Sequence, residues 1–197
     1  MKMRGWMLFA LSTAVLGTFS PSSSAFAQAA TGNPVGRVKL QPLRAPYRTP
    51  RYTASPTLGG TPRQLDWNLI DCRYETLAPW TEELTTTFLV LMKTADPKEP
   101  YVMLKGEQTF VNIERGQHMA AAYVHPSMLK RYGKIEAVAV EFSFGGRVVA
   151  VDSTQPGYKK WAEQLAPKLG FVLPPTQTPF ALLNYDDYEM PKPPTAK

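Results

Sequence analysis

The chain has 197 residues, of which 44% are hydrophobic and 19% are charged, and its formal net charge is +6. The positive charge would suit a nucleic-acid partner, but it lies outside the part of the chain that is expected to fold. Residues 28–62 hold five basic residues and no acid, whereas the chain from Arg63 onward holds 15 basic and 16 acidic residues, a net charge of −1. A neutral folded domain excludes nucleic acid as the expected partner.

Residues 1–27 have the pattern of a secretory signal peptide. Lys2 and Arg4 precede an apolar run that extends from Trp6 to Phe19, and Ala25-Phe26-Ala27 is a small-x-small site that predicts cleavage before Gln28. The run is shorter than the roughly 20 residues that a spanning helix needs. We therefore expect export to the periplasm or cell surface, with no transmembrane segment after signal cleavage.

Residues 28–62 are rich in proline, glycine and arginine and show no sustained apolar periodicity, which predicts a disordered tether. Arg44, Arg48 and Arg51 of this tether are candidate contacts for an anionic envelope polymer, for lipid headgroups or for an acidic partner. Scattered arginines in a linker can also serve only to keep it solvated.

Period-two alternation over residues 63–190 predicts a mainly β domain, and residues 191–197 are expected to form a frayed tail. The short strands, mostly joined by turns, favour an immunoglobulin-like antiparallel β-sandwich. The seven predicted strands are 64–74, 84–93, 101–113, 118–124, 135–144, 147–152 and 180–185. Cys72 is the only cysteine and lies on an apolar strand face, so we expect a buried hydrophobic side chain.

The predicted hairpin at residues 134–152 is the clearest element of this domain. Val138, Val140 and Phe142 recur with period two, and Gly145-Gly146 suits a two-residue primed turn. Strict alternation through the second strand would place Phe142 opposite Val149 and Val140 opposite Val151.

Two helical segments are expected as well. After His125, whose ring is expected to stabilise the helix start, residues 126–132 predict one short helical turn that ends at Gly133. Residues 156–168 predict an amphipathic helix with Tyr158, Trp161, Ala162 and Leu165 on one face.

No recognisable catalytic apparatus or metal site accompanies these elements. The two histidines, His118 and His125, lie on opposite strand parities without a paired carboxylate, so we expect no metal and no cofactor. Asp186, Asp187 and Glu189 could serve glycoside hydrolysis or calcium binding, but adjacent carboxylates of an extended strand point to opposite faces. The sequence therefore predicts no enzyme, and the candidate binding residues of this cluster are Tyr185, Asp186, Asp187 and Tyr188.

Four stretches, YETLAPWTEELTTT, PYVMLKGE, VHP and QTPF, resemble a family of exported single-domain proteins from Verrucomicrobia that are associated with type IV pilus gene clusters. The resemblance covers approximately Leu65 to Tyr188. It implies an immunoglobulin-like fold and a non-catalytic interaction module that binds an envelope or pilus protein. The alternative is a glycan-binding domain, provided that Tyr101, Tyr123, Tyr185 and Tyr188 are exposed.

Overall fold

The fold is built around two long antiparallel strands. The computed structural model describes residues 32–44, 46–50 and 64–193. The predicted signal peptide and Arg51 lie outside these described residues. Within them the strands are β1 (Val35–Leu40), β2 (Tyr47–Arg48), β3 (Asp66–Lys93), β4 (Tyr101–Val124), β5 (Lys134–Phe144), β6 (Arg147–Ser153), β7 (Pro167–Leu169) and β8 (Val172–Leu173). The helices are α1 (Pro126–Tyr132) and α2 (Tyr158–Gln164), with 3₁₀ turns at Pro175–Gln177 and Tyr185–Asp187.

All of these strands belong to one sheet with the order β6-β5-β3-β4-β7, in which β1 and β2 also pair with β3 and β8 pairs with β4. The predicted mainly β class is confirmed. An arrangement of two separate sheets, as in a sandwich, is not shown. The longer connection between β6 and β7 contains α2, as the amphipathic pattern predicts.

Strand β3 is continuous where the sequence predicts separate strands at 64–74 and 84–93, and β4 is continuous where it predicts strands at 101–113 and 118–124. Their antiparallel register extends from Asn68 opposite Val124 to Lys93 opposite Tyr101, with one shift between Thr76 and Trp80. In that shift β3 advances by four residues while β4 advances by two, so Pro79 lies in a bulge where its missing N–H group costs no ladder hydrogen bond. The bulge therefore allows the strand to pass through the proline.

The main core joins the two ends of β3. Ile70 and Cys72, near its start, share one buried cluster with Phe88 and Val90, near its end. The ring of Tyr74 lies 4.8 Å from that of Phe142 on β5. Residues from both ends of one strand can meet only if the sheet bends, so the concave side of a strongly bent sheet holds the core.

Helix α2 covers part of the opposite side of the sheet. Tyr158 of the helix packs with Leu89 of β3, Met103 of β4 and Ala139 of β5. The partly buried residues Trp161, Ala162 and Leu165 complete this contact, which confirms the predicted helix face. Gly106 of β4 allows another close approach, because a Cβ atom there would lie 2.4 Å from the carbonyl oxygen of Val172.

Helix α1 begins as the sequence predicts. The Nδ1 atom of His125 accepts a hydrogen bond of 3.2 Å from the backbone N–H of Ser127. Pro126 occupies the first helical turn, where the missing N–H group is harmless. Gly133 ends the helix, and its N–H group donates to the carbonyl oxygen of Leu129.

The predicted tether is wrong for its described part, because residues 35–40 form strand β1 on the edge of β3. Val35 lies opposite Thr76 and Leu40 lies opposite Cys72, and Val35 is only 1% exposed. The side-chain amide of Asn33 donates to the carbonyl oxygen of Val149 at 3.0 Å, which ties the same segment to β6. Sequence periodicity missed β1 because the neighbouring strand supplies the hydrogen-bond partners that stabilise it.

The predicted hairpin is correct in both strands and in the turn, with β6 at Arg147–Ser153, but the predicted register of the second strand is wrong. Phe144 lies opposite Arg147, and Gly145 and Gly146 have φ angles of 56° and 76°. A bulge beside Ser143 then shifts the register, so that Phe142 faces Ala150. As a result Val151 points outward and is 37% exposed, whereas Phe142 is fully buried.

The predicted last strand at 180–185 is also wrong. That segment forms consecutive turns that lead into the 3₁₀ turn Tyr185–Asp187. The tail beyond it is ordered against the sheet at Lys192, whose backbone N–H donates to Thr109 of β4 at 2.7 Å.

The burial of the hairpin gives a matched pair of stability predictions. Phe142→Ala should lower the free energy of unfolding by about 3–5 kcal/mol, because it removes a fully buried ring and leaves a cavity. Val151→Ala, at an exposed position of the adjacent strand, should change it by less than about 0.5 kcal/mol. Chemical denaturation of both variants measures the difference. A large effect of Val151→Ala would contradict the bulged register.

Candidate functional site

The segment before the C-terminal 3₁₀ turn is anchored by an aromatic cluster. Phe180 is 1% exposed and stacks on the ring of Tyr123 with a centroid distance of 4.7 Å and an interplanar angle of 13°. The rings of Trp67 and Tyr47 meet it edge-on at 5.9 Å and 6.3 Å. The hydroxyl of Thr178 accepts a hydrogen bond from the N–H group of Phe180, which fixes the direction of the chain.

Beyond this anchor the chain presents two leucines to solvent. We call residues 181–187 the C-terminal turn. Leu182 is 77% exposed and Leu183 is 44% exposed, although the N–H group of Leu183 donates back to Phe180 at 2.9 Å. Asp186 and Asp187 of the same turn are also exposed. The result is a backbone-bonded apolar tip with two carboxylates beside it.

The predicted acidic cluster therefore has a different geometry from the expected strand end. Asp186 and Asp187 lie in a 3₁₀ turn, and the N–H group of Asp187 donates to the carbonyl oxygen of Asn184. Tyr188 is half-buried, and burial raises the pKa of its hydroxyl. The side chain of Tyr185 lies outside the described residues.

The described tyrosines do not all reach the surface, as a glycan-stacking site would require. Tyr123 is 2% exposed, and burial raises the pKa of its hydroxyl, with the nearby Tyr188 adding to the shift. Tyr101 is 39% exposed and lies at the start of β4. Tyr123, at the opposite end of that strand, contributes instead to the anchor of the C-terminal turn.

Two of the arginines that were predicted to contact a partner lie beside acidic side chains of the same chain. Arg44 Nη2 lies 3.6 Å from a carboxylate oxygen of Asp71, and Arg48 Nε lies 3.3 Å from one of Asp66. Both arginine side chains are more than half exposed, so each ion pair contributes little to stability. These arginines are held against β3 rather than placed on a free tether.

A second C-terminal element follows the turn. We call residues 188–192 the C-terminal strap. Met190 of the strap accepts a backbone hydrogen bond of 3.0 Å from Val111 of β4. The carboxylate of Glu189 lies 2.5 Å from Nδ1 of His118, and the ammonium group of Lys192 lies 2.5 Å from the carboxylate of Glu83.

His118 joins the strap to the interior of the sheet. Its Nε2 atom lies 2.9 Å from the hydroxyl of Thr76, and its ring lies 5.2 Å from that of Tyr74. The Thr76 hydroxyl donates to the carbonyl oxygen of Glu114 at 2.6 Å and accepts from the N–H group of Gly116. No sequence pattern could reveal the pairing of His118 with Glu189, because 71 residues separate them.

A groove of about 350 Å³ lies beside α2. Leu89 and Met103 lie among its lining residues, together with Lys105 and Glu163. Glu141, also in the lining, accepts a hydrogen bond of 2.9 Å from the hydroxyl of Tyr158. Burial and this hydrogen bond raise the pKa of Tyr158 to about 12, so the tyrosine is a neutral donor at physiological pH.

The cysteine, the potential metal ligands and the helices complete the description of the site. Cys72 is fully buried, as predicted, and burial raises the pKa of its thiol to about 12. In the described part of the chain, no three His, Cys, Asp or Glu side chains are grouped as a metal ion would require. The helices described there are all too short or too polar to cross a membrane.

Comparison with known proteins places this mainly β chain in a family. A protein-family model matches residues 34–195, which is most of the chain, and the chain belongs to that family. A crystal structure of a protein from Akkermansia muciniphila shares the fold with a TM-score of 0.64 and 23% sequence identity. The match covers 81% of this chain and 94% of that one. The search of curated proteins found no significant match.

The environment of Cys72 predicts an unreactive thiol. With a pKa of about 12 in the folded protein, against about 8.5 for a free cysteine, the thiol stays protonated between pH 7 and 9 and is shielded from reagents. Iodoacetamide at pH 8.5 should therefore leave the native protein unmodified and should alkylate it fully in 6 M guanidinium. Intact mass measures both states. Fast alkylation of the native protein would contradict the burial of Cys72.

Proposed function

We propose that this protein is an exported, non-catalytic interaction module of the bacterial cell envelope, and that it contributes to type IV pilus assembly or adhesion. Its contact surface is the C-terminal turn. The observation that carries this proposal is the exposure of Leu182 and Leu183 at the tip of a turn whose base, Phe180, is buried.

A pre-ordered apolar tip is suited to protein recognition. Binding costs less conformational entropy when the contacting segment is already ordered, as the Phe180 anchor orders this one. Leu182 at 77% exposure retains most of the apolar area that a partner could remove from water. Asp186 and Asp187 beside it favour a partner with an apolar pocket and a basic rim.

Other observations support the proposed export, the envelope role and the non-catalytic nature of the protein. The signal-peptide pattern of residues 1–27 supports export. The stretches that resemble pilus-associated proteins of Verrucomicrobia support an envelope role, and the structurally similar protein comes from Akkermansia muciniphila, a member of that group. A non-catalytic role agrees with a buried, protonated Cys72 and with the engagement of Glu141 by Tyr158.

Glycan binding has less support as the alternative. Stacking on a sugar needs exposed aromatic faces, and Tyr123 is in the core while Tyr188 is half-buried. A purified protein that binds envelope polysaccharide but no envelope protein would favour this alternative.

The C-terminal turn gives a direct test in cells. In a strain that lacks the native gene, the variant Leu182→Ser/Leu183→Ser should lower the amount of surface pili at least fivefold relative to the wild-type protein. Leu169→Ser is a matched control, because Leu169 is 65% exposed on β7, outside the turn. Electron microscopy counts the pili, and immunoblotting of envelope fractions checks that all three proteins are exported equally.

A photoreactive amino acid at position 182 then identifies the contact. Cross-linking to one pilus-assembly component, and no such product from position 169, is the expected result. Normal piliation by the double variant with no cross-link from position 182 would refute the proposed contact surface.

A further inference from the structure

Trp80 is a large apolar side chain that β3 exposes to solvent. It is 61% exposed, whereas Trp67 is 5% exposed and Trp161 is partly buried. It lies at the end of the bulge that contains Pro79, directly opposite Glu114 of β4. Tryptophan is over-represented among the residues that dominate binding energy at protein interfaces, so an exposed indole on a sheet face indicates a contact surface.

The backbone beneath Trp80 is held in place by a buried side chain. Thr76 begins the bulge and is 1% exposed. Its hydroxyl donates to the carbonyl oxygen of Glu114 at 2.6 Å and accepts from the N–H group of Gly116 at 3.1 Å. These bonds join β3 to β4 where the bulge interrupts regular strand pairing. Because Trp80 follows this fixed point, a ligand can bind there with little further ordering of the chain.

Two carboxylates share the face of the sheet that carries Trp80. Glu114 points to that face because paired residues of neighbouring strands have their side chains on the same side. Glu82 does so because it follows Trp80 by two residues, with the buried Thr81 between them. We call Trp80, Glu82 and Glu114 the bulge face. Paired side chains have Cβ atoms about 5 Å apart, so one bound group can contact both the indole and the Glu114 carboxylate.

Within the described residues, the carboxylates of the bulge face have no cation of the same chain. The adjacent Glu83 pairs with Lys192. In contrast, no ion pair or hydrogen bond from that part of the chain reaches the side chain of Glu82 or Glu114. Arg115 follows Glu114 directly, so strand alternation turns it to the opposite face. Two uncompensated negative charges beside an indole favour a cationic ligand, which the face of the ring also attracts.

An arginine side chain fits this arrangement better than other cations. A guanidinium group is planar, so it can stack on the indole of Trp80 while its edge donates to a carboxylate oxygen of Glu114. An ammonium group is a compact, strongly hydrated charge without this planar geometry. Leu77 of the same bulge is 45% exposed and lies within about 11 Å of Trp80 along the chain. A peptide segment can reach both side chains, which a lipid headgroup or a free cation cannot do.

We propose that the bulge face is a docking site for a protein segment that presents an arginine. The guanidinium group stacks on Trp80 and donates to Glu114, while Glu82 adds an attraction that salt weakens. An apolar residue beside the arginine contacts Leu77. The C-terminal turn takes no part in this surface, so the contact proposed for that turn and the contact proposed for the bulge face can fail independently.

Nuclear magnetic resonance of the indole N–H groups tests this contact directly. The mature chain from Gln28 onward contains three tryptophans, Trp67, Trp80 and Trp161. The probe is the peptide acetyl-Gly-Arg-Leu-Gly-amide, which is titrated into protein that is isotope-labelled at tryptophan. We expect a saturable shift of the Trp80 signal and no shift of the other two signals, which serve as internal controls. The substitution Trp80→Phe assigns the signal.

Altered peptides and proteins test the chemistry of the contact. Citrulline has the shape of arginine without its charge, so a citrulline peptide should bind about fivefold more weakly. A lysine peptide should bind about twofold more weakly than the arginine peptide. Glu114→Gln should weaken binding of the arginine peptide about threefold. Glu163→Gln is a matched control that should leave the affinity unchanged, because it removes the same charge from an exposed position of α2.

Several outcomes would overturn the proposal. A Trp80 signal that stays in place, or equal shifts of all three signals, would show that the peptide does not bind at the bulge face. Equal affinity for the citrulline or lysine peptide would show that the guanidinium group is not recognised. Equal effects of Glu114→Gln and Glu163→Gln would exclude Glu114 as the arginine's partner. Tighter binding of tetramethylammonium or of maltose would assign the face to a headgroup cation or to a glycan instead.

Discussion

The continuous backbone pairing of β3 with β4 is the constraint on which the rest of the structure depends. These strands span 28 and 24 residues, so they run from one end of the sheet to the other and offer two long edges. Strands β1 and β5 occupy successive parts of the free edge of β3. On the free edge of β4, β7, the C-terminal strap and β8 follow one another. The positions of these strands and of the C-terminal strap therefore depend on this pair.

Side-chain periodicity revealed those parts of the fold in which the sequence itself carries the signal. The alternation of Val138, Val140 and Phe142 identifies a buried strand face, and His125-Pro126 identifies a helix start, because both signals arise from neighbouring residues. The face of α2 was predictable for the same reason. The burial of Cys72 followed from the apolar alternation of its strand.

The errors occur where distant residues decide the local structure. Strand β1 contains Gly36, Arg37 and Lys39, and it is a strand because β3 provides a free edge beside it. The bulge beside Ser143 inserts one extra residue into β6, which turns the side chain of Val151 to the opposite face of the sheet. No local sequence pattern predicts this insertion. Composition indicates the acidic cluster at residues 186–187, but the pattern before it predicts a strand where the structure has a turn with exposed Leu182 and Leu183. The contact between His118 and Glu189 depends on the return of the C-terminal segment to β4, which local sequence does not encode.

One measurement tests directly whether the β3–β4 pair bends around a single core. The ring of Tyr74, near the start of β3, lies 4.8 Å from the ring of Phe142, on the strand that pairs with the far end of β3. In a nuclear Overhauser spectrum of protein with selectively labelled aromatic residues, the bent sheet predicts strong cross-peaks between the ring protons of Tyr74 and Phe142. Absence of those cross-peaks, with both rings assigned and the protein folded, would contradict the bent sheet and its common core.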